Sequence, residues 1–234
     1  DWLVKRAGSD SYEKVWKPLL VSKFDSDADQ VSATWIWNKF KLRGSSRGKN
    51  ISREKLGYIR GGFDKLFARL SEEICKAGGT IRLNCRINGI RRLEDGRLEL
   101  SGFTGEAFNR VLFTGSPQQL AEMETPLPRD FRQSLSELKS KGNICMVLEL
   151  ERSLSPYYWT TVVQKNLPFV LIIEHTNLVG MDGYNGHIVY LSRYADRHDD
   201  IFMKSDEEIE SIFLSGLFKV FPEFRREWVK RAVV

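Results

Sequence analysis

Leu56-Gly57-Tyr58-Ile59-Arg60-Gly61-Gly62-Phe63, then Ile81-Arg82-Leu83-Asn84-Cys85-Arg86-Ile87, then Thr114-Gly115-Ser116-Pro117 are the stretches on which the reading of the fold turns. After the glycine pair, Phe63, Leu66, Phe67, Leu70 and Ile74 recur at helical spacing, and Gly78-Gly79 ends the helix. The period then switches to two, which predicts a strand with Ile81, Leu83, Cys85 and Ile87 on one side and Arg82, Asn84, Arg86 and Asn88 on the other. Glu94-Asp95-Gly96 supplies a turn between strands at 90–93 and 97–100, and 108–113 reads as a further strand entering the small-residue loop at Thr114.

Outward from this stretch, helices are predicted over 11–24 and 28–42, with Trp16, Leu19, Leu20 and Phe24 on one face and Val31, Trp35, Ile36 and Phe40 on the other. Pro18 marks a kink or the true start of the first helix, and Asp27 is placed to cap the second. A polar loop follows over 44–52. On the other side, 130–139 reads as a helix, 143–150, 157–163, 168–174 and 187–191 as strands, and 205–220 as a helix with Asp206, Glu207 and Glu208 in its first turn. Gly180-Met181-Asp182-Gly183 is a turn.

The 234 residues, 41% hydrophobic and 29% charged, can bury a core of one or two domains. The longest apolar run, Phe169-Val170-Leu171-Ile172-Ile173, has strand length, well short of the roughly 18–20 residues of a membrane span. Peripheral membrane contact is left open. Cys75, Cys85 and Cys145 form no C-x-x-C pair, and His175, His187 and His198 lack metal-site spacing, so a reducing, cytoplasmic setting without a metal is expected. The net charge of +5 gathers in Lys39, Lys41, Arg43, Arg47 and Lys49 and in Arg225, Arg226, Lys230 and Arg231. Cations suit helix ends, and no recognition signature accompanies them, so nucleic acid is not an expected partner. The chain opens at Asp1, has its first methionine at Met123 and stops at Val234, which reads as a central piece of a larger protein.

Several segments, taken in order, resemble the flavin-dependent amine oxidase superfamily, in the branch of protoporphyrinogen oxidase and phytoene desaturase. They are Tyr12-Glu13 with Trp16-Lys17-Pro18-Leu19-Leu20, Lys23-Phe24, Arg43-Gly44-Ser45-Ser46-Arg47, Gly57-Tyr58 with Gly61-Gly62-Phe63, Tyr157-Tyr158-Trp159, Pro168-Phe169, Glu174-His175-Thr176-Asn177 and Tyr190-Leu191. The resemblance implies an α+β fold: a mixed sheet with packed helices, forming a substrate domain interleaved with part of an FAD domain. The expected division is 1–60 as the helical part of the substrate domain, 61–117 as a partial FAD-binding segment and 118–234 as the substrate-domain sheet and helices. Asp25 departs from the pattern, standing where the family has glycine. The pyrophosphate-binding glycine turn and the C-terminal segment beside the flavin are also absent, so this piece alone is expected to be inactive.

The resemblance further implies that Arg86 and Ile87 meet the adenine of FAD through the backbone and that Thr114, Gly115, Ser116 and Pro117 lie near the same nucleotide. Read from the residues alone, Ile87 serves equally as a core strand residue, and the loop as a strand-to-helix turn. On the substrate side, Tyr158, Trp159, His175 and Tyr190 are candidates to line a cavity, with core packing as the plain alternative. Adjacent strand residues face opposite ways, so Glu174 and His175 are not expected to share a site. No catalytic residue is assigned. The function implied is hydride transfer from an amine, or from a cyclic or polyene carbon small molecule, to FAD. The alternatives are a non-catalytic module with a basic surface, or a flavin-dependent protein resembling sugar mutases.

Overall fold

The computed structural model describes residues 2–46, 57–103, 105–164 and 166–234. Most of the polar loop expected over 44–52, with Arg47 and Lys49, lies outside them, as does Leu56. Two compact units divide the chain: the first comprises residues 1–60 and 141–234, the second residues 61–140. Residues 118–140, grouped by sequence with the substrate sheet, thus fall in the second unit.

The first unit opens with α1 (Trp2–Ala7) and α2 (Ser9–Ser11), which continues through a π-helical turn at Tyr12–Trp16 into α3 (Lys17–Phe24). Pro18 sits in the first turn of α3 directly after the π-helical turn, within helical backbone that continues from Ser11 through Lys17, so it marks a change of helical register and not a fresh start. Asp25 then adopts φ 50 and ψ −125, a left-handed backbone that favours glycine. The next helix begins later than expected. Asp25–Gln30 forms a 3-10 helix and α4 spans Ala33–Ser46. Asp27 lies inside the 3-10 helix, well before α4, and its carboxylate meets Lys141 Nζ at 2.9 Å, which also meets Asp196 at 2.6 Å. Leu3, Leu20 and Ile36 form a small buried core here, and the edge-on ring pairs Trp16–Phe40 and Phe24–Trp35, both 5.1 Å apart, extend it.

The second unit holds α5 (Asp64–Lys76), β1 (Gly89–Arg92), β2 (Leu98–Ser101), β3 (Ala107–Phe108), α6 (Pro117–Glu122) and α7 (Arg129–Ser136). The apolar stripe of α5 forms as read, yet Phe63, Leu66, Phe67, Leu70 and Ile74 are all exposed. The β1–β2 hairpin closes at Arg92↔Leu98, with Gly96 at φ 83 and Asp95 Oδ1 accepting the Arg97 amide at 2.9 Å. The strand expected over 81–87 does not form. Asn84 takes φ 58, which breaks the alternation, and no neighbouring strand pairs with this segment among the described residues; Leu83 is left 79% exposed. Residues 109–113 likewise run on from β3 without a ladder, so the second expected strand shrinks to Ala107–Phe108.

The chain then returns to the first unit with β4 (Lys141–Leu150), β5 (Trp159–Thr161), β6 (Leu171–Glu174), α8 (His175–Val179), β7 (His187–Asp196), α9 (Asp206–Val220) and β8 (Val229–Val233). The strands pair antiparallel in the order β5-β6-β7-β4-β8. β7 runs beyond Leu191 because Ser192 to Asp196 find partners in β4, from Cys145 to Lys141. Alternation puts Ile144, Met146, Leu148 and Leu150 of β4, with Ile172, Val189 and Leu191, into one core with Ile209, Phe213, Leu214 and Leu217 of α9. Ser205 and Glu208 form a reciprocal capping box at the start of α9. At Gly216 the helix passes so near the Pro168 and Phe169 side chains that a Cβ would meet Pro168 Cδ at 2.5 Å and Phe169 Cε1 at 3.0 Å.

Several of the described cations have local partners. Lys39 and Lys41 lie over their own helix's Trp35 and Trp37, Arg226 pairs with Glu210 at 2.6 Å, and Lys230 donates to the Asn185 carbonyl at 2.6 Å. Among the described residues no helix is long and apolar enough to cross a membrane, the three cysteines are free, and no cluster of metal-ligating side chains occurs.

Candidate functional site

α9 fills one face of the five-stranded sheet, and the candidate side chains stand on the other. Register sets Trp159, Ile173, Tyr190 and Val147 in one row across β5, β6, β7 and β4. β6 ends at Glu174, whose φ −88 and ψ 86 turn the chain into α8, and His175 is the first residue of that helix. Its imidazole is only 7% exposed. Around it stand three tyrosines edge-on: Tyr58 at 4.8 Å between ring centroids, Tyr184 at 5.7 Å and Tyr190 at 5.8 Å. The Tyr184 hydroxyl lies 3.0 Å from His175 Nε2, a hydrogen bond whose direction follows the imidazole tautomer.

Glycines bring Tyr184 to this place. α8 stops at Gly180, φ 81, and Gly183, φ 84, closes a turn in which the Tyr184 amide donates to the Met181 carbonyl at 3.0 Å. Left-handed residues at both points fold the 180–186 segment back along α8.

Burial governs the charge state of this cluster. It pushes the His175 pKa below the ordinary 6.5, because the imidazolium would lose water without gaining a counter-charge. Burial likewise raises Tyr184, with Tyr58 adding to the effect, and raises Tyr190, with Tyr58, Tyr184, Cys145 and Tyr158 as lesser causes. At neutral pH the imidazole is neutral and these phenols keep their protons.

A stability consequence follows. Below pH 6.5 the unfolded chain protonates His175 while the folded chain resists, so unfolding takes up a proton and stability rises with pH across that window. The contribution is complete above 6.5 and is lost as the pH falls toward the depressed folded value. Urea unfolding at pH 7.5, 6.5 and 5.5 is expected to show this decline, and His175→Phe to flatten it. An unchanged slope in the variant would remove the assignment.

Of the residues named from sequence, the structure brings His175 and Tyr190 together, and separately Tyr158 and Trp159, whose rings lie 6.2 Å apart. Trp159 is exposed, its Nε1 donating to Thr161 Oγ1 at 3.2 Å. Sequence reasoning missed Tyr58 and Tyr184 as site residues. Tyr58 lay in the Gly57-Tyr58 pair, and Tyr184 in a glycine-framed turn between two predicted strands; the turn itself was the available signal. Glu174 and His175 do point apart: the Glu174 carboxylate accepts from Ser153 Oγ and the Leu154 amide, at 2.6 and 2.9 Å.

The nucleotide candidates all lie in the second unit. Arg86 is exposed and Ile87 half-buried, both in the segment that failed to become a strand. Thr114 and Gly115 end the ladder-free stretch, while Ser116 caps α6 reciprocally with Gln119 and Pro117 occupies its first turn. The space a Cβ would need at Gly115 is held by the Phe113 ring. Because residues 81–87 and 109–115 belong to no sheet, these segments offer neutral backbone donors and acceptors beside small side chains and the Arg86 guanidinium. That donor set fits a nucleotide.

The same fold occurs in solved structures. A candidate protoporphyrinogen oxidase from Exiguobacterium sp. 255-15 is 21% identical over 99% of this chain and 52% of its own, with a TM-score of 0.71. An oxidoreductase from Methanosarcina mazei is 14% identical over 74% of this chain and 42% of its own, at 0.57. A redesigned putrescine oxidase is 18% identical over 74% of this chain and 38% of its own, at 0.50. The chain thus spans about half the length, or less, of the structures it matches. Comparison with curated protein sequences returned no match. The family profile for flavin containing amine oxidoreductase matches residues 10–234, nearly the whole sequence. With an α+β architecture shared with flavin amine oxidase-like folds, the chain belongs to the flavin containing amine oxidoreductase family.

Proposed function

We propose that the whole protein is an FAD-dependent oxidoreductase that removes a hydride from an amine or from a cyclic or polyene carbon skeleton, and that the open sheet face receives that substrate. The observation that carries this reading is the buried imidazole of His175 ringed by Tyr58, Tyr184 and Tyr190. His175, Tyr184 and Tyr190 carry no formal charge at neutral pH, so the cluster orients a substrate by ring contact and hydrogen bonding, and with Tyr158 and Trp159 it limits the substrate's access to water. When bound, FAD supplies the acceptor for the hydride. The backbone at Arg86 and Ile87 and the loop of Thr114, Gly115, Ser116 and Pro117 would hold its nucleotide end. A small-molecule substrate, no nucleic acid and a cytoplasmic setting belong to the same proposal.

The test is FAD titration of the whole protein and of residues 1–234, followed by flavin absorbance and fluorescence. Saturable, near-stoichiometric uptake by the whole protein is expected, with at most weak binding by residues 1–234. A whole protein that stays colourless in excess FAD would overturn the assignment.

A further inference from the structure

We propose that Glu174 and Asn177 are positioning residues: they hold residues 153–158 so that Tyr158 and Trp159 stand at the rim of the substrate face. This rests on the reading of that face given above. Glu174 is 2% exposed, and among the described residues its carboxylate has hydroxyl and amide donors for partners and no cation. Ser153 Oγ donates to it at 2.6 Å, the Leu154 amide at 2.9 Å, and Ser155 Oγ donates to its other oxygen. A buried carboxylate is tolerated only where such donors replace water, so the bonds fix the donors as firmly as the acceptor.

Asn177, one helical turn along α8, continues the work. Its Nδ2 donates to the carbonyls of Ser155 at 2.8 Å and Tyr157 at 3.0 Å. The Glu174 amide in turn donates to the Tyr158 carbonyl at 2.9 Å. The segment has no helix or strand of its own before Trp159, so these side-chain bonds stand in for secondary structure. What they deliver is the start of β5, where Trp159 pairs with Ile173 in the row that leads to Tyr190. The Trp159 ring is half exposed and contributes nothing to the buried core, so its placement serves the surface it faces.

The experiment uses the whole protein with Glu174→Gln and Asn177→Asp, which keep side-chain size and change only donors and acceptors. Hydrogen exchange read by mass spectrometry is expected to rise at least tenfold in peptides covering 154–162 and to change less than twofold in β4 and β7. The emission of Trp159, isolated by difference from Trp159→Phe, is expected to shift and to become more readily quenched by acrylamide. Ser155→Ala, a milder change, is expected to give a smaller rise in the same peptides if either first variant fails to fold. Unaltered exchange at 154–162, or an equal rise in β4 and β7 with an unchanged Trp159 spectrum, would overturn the proposal. Exchange does not depend on flavin, so a protein that takes up no FAD would sink the functional reading while leaving this result to be judged separately.

Discussion

Phe213→Ala is expected to lower the unfolding free energy of the first unit by about 3–5 kcal/mol, the usual range for emptying a core aromatic site. Phe213 has no exposed surface and stands edge-on to Phe169 with ring centres 5.8 Å apart. It projects from α9 into the cluster that also holds Met146, Leu148, Val189 and Leu191 of the central strands. These strands cannot close over the vacancy without breaking the ladder between β4 and β7, so little of the lost contact is recovered. The measurement is the urea midpoint at unchanged m-value, and a loss below about 1 kcal/mol would show that this core repacks freely.

The second large effect concerns function. In the whole, FAD-loaded protein, Tyr190→Ala is expected to raise KM about 10- to 100-fold, since a buried ring contributes roughly 1.5–3 kcal/mol and each 1.4 kcal/mol is tenfold. Tyr190→Phe keeps the ring edge-on to His175 and is expected to stay within about threefold, because it removes one hydroxyl of a kind with a modest net effect. Steady-state kinetics on whichever substrate a screen identifies would separate the two. Equal KM values for the alanine variant and the parent would place the substrate away from this face.

The elements legible in the sequence are those whose cause is local. The stripe of α5, the Asp95-Gly96 hairpin and the acid-led first turn of α9 each depend on residues within a turn or two of one another. The alternation in residues 81–87 was equally visible, but period two says which side a residue takes and nothing about what pairs with it. With no pairing strand among the described residues and Asn84 left-handed, the strand does not form. Asp27 was misread for a related reason: its partner, Lys141, is remote in sequence, so a carboxylate placed to cap a helix is drawn to an ammonium instead. Asp25 was legible only through the family pattern, where a glycine at its position matches the positive φ it adopts. Of the site, His175 and Tyr190 could be named from strand ends and aromatic content. Tyr58 and Tyr184 could not, because no periodicity says which residues outside the strands are brought against His175.

The first unit is made of two stretches with the 80 residues Gly61–Ser140 between them. A ribosome adding about 5–20 residues per second therefore holds the first 60 residues for roughly 4–16 s before β4 begins to emerge. During that interval Lys23 has no Tyr194 to lie against, Asp27 has no Lys141, and Tyr58 has no His175. The tryptophan-rich helices of residues 2–46 thus complete their contacts with β4 and β7 only after the whole second unit has been synthesised.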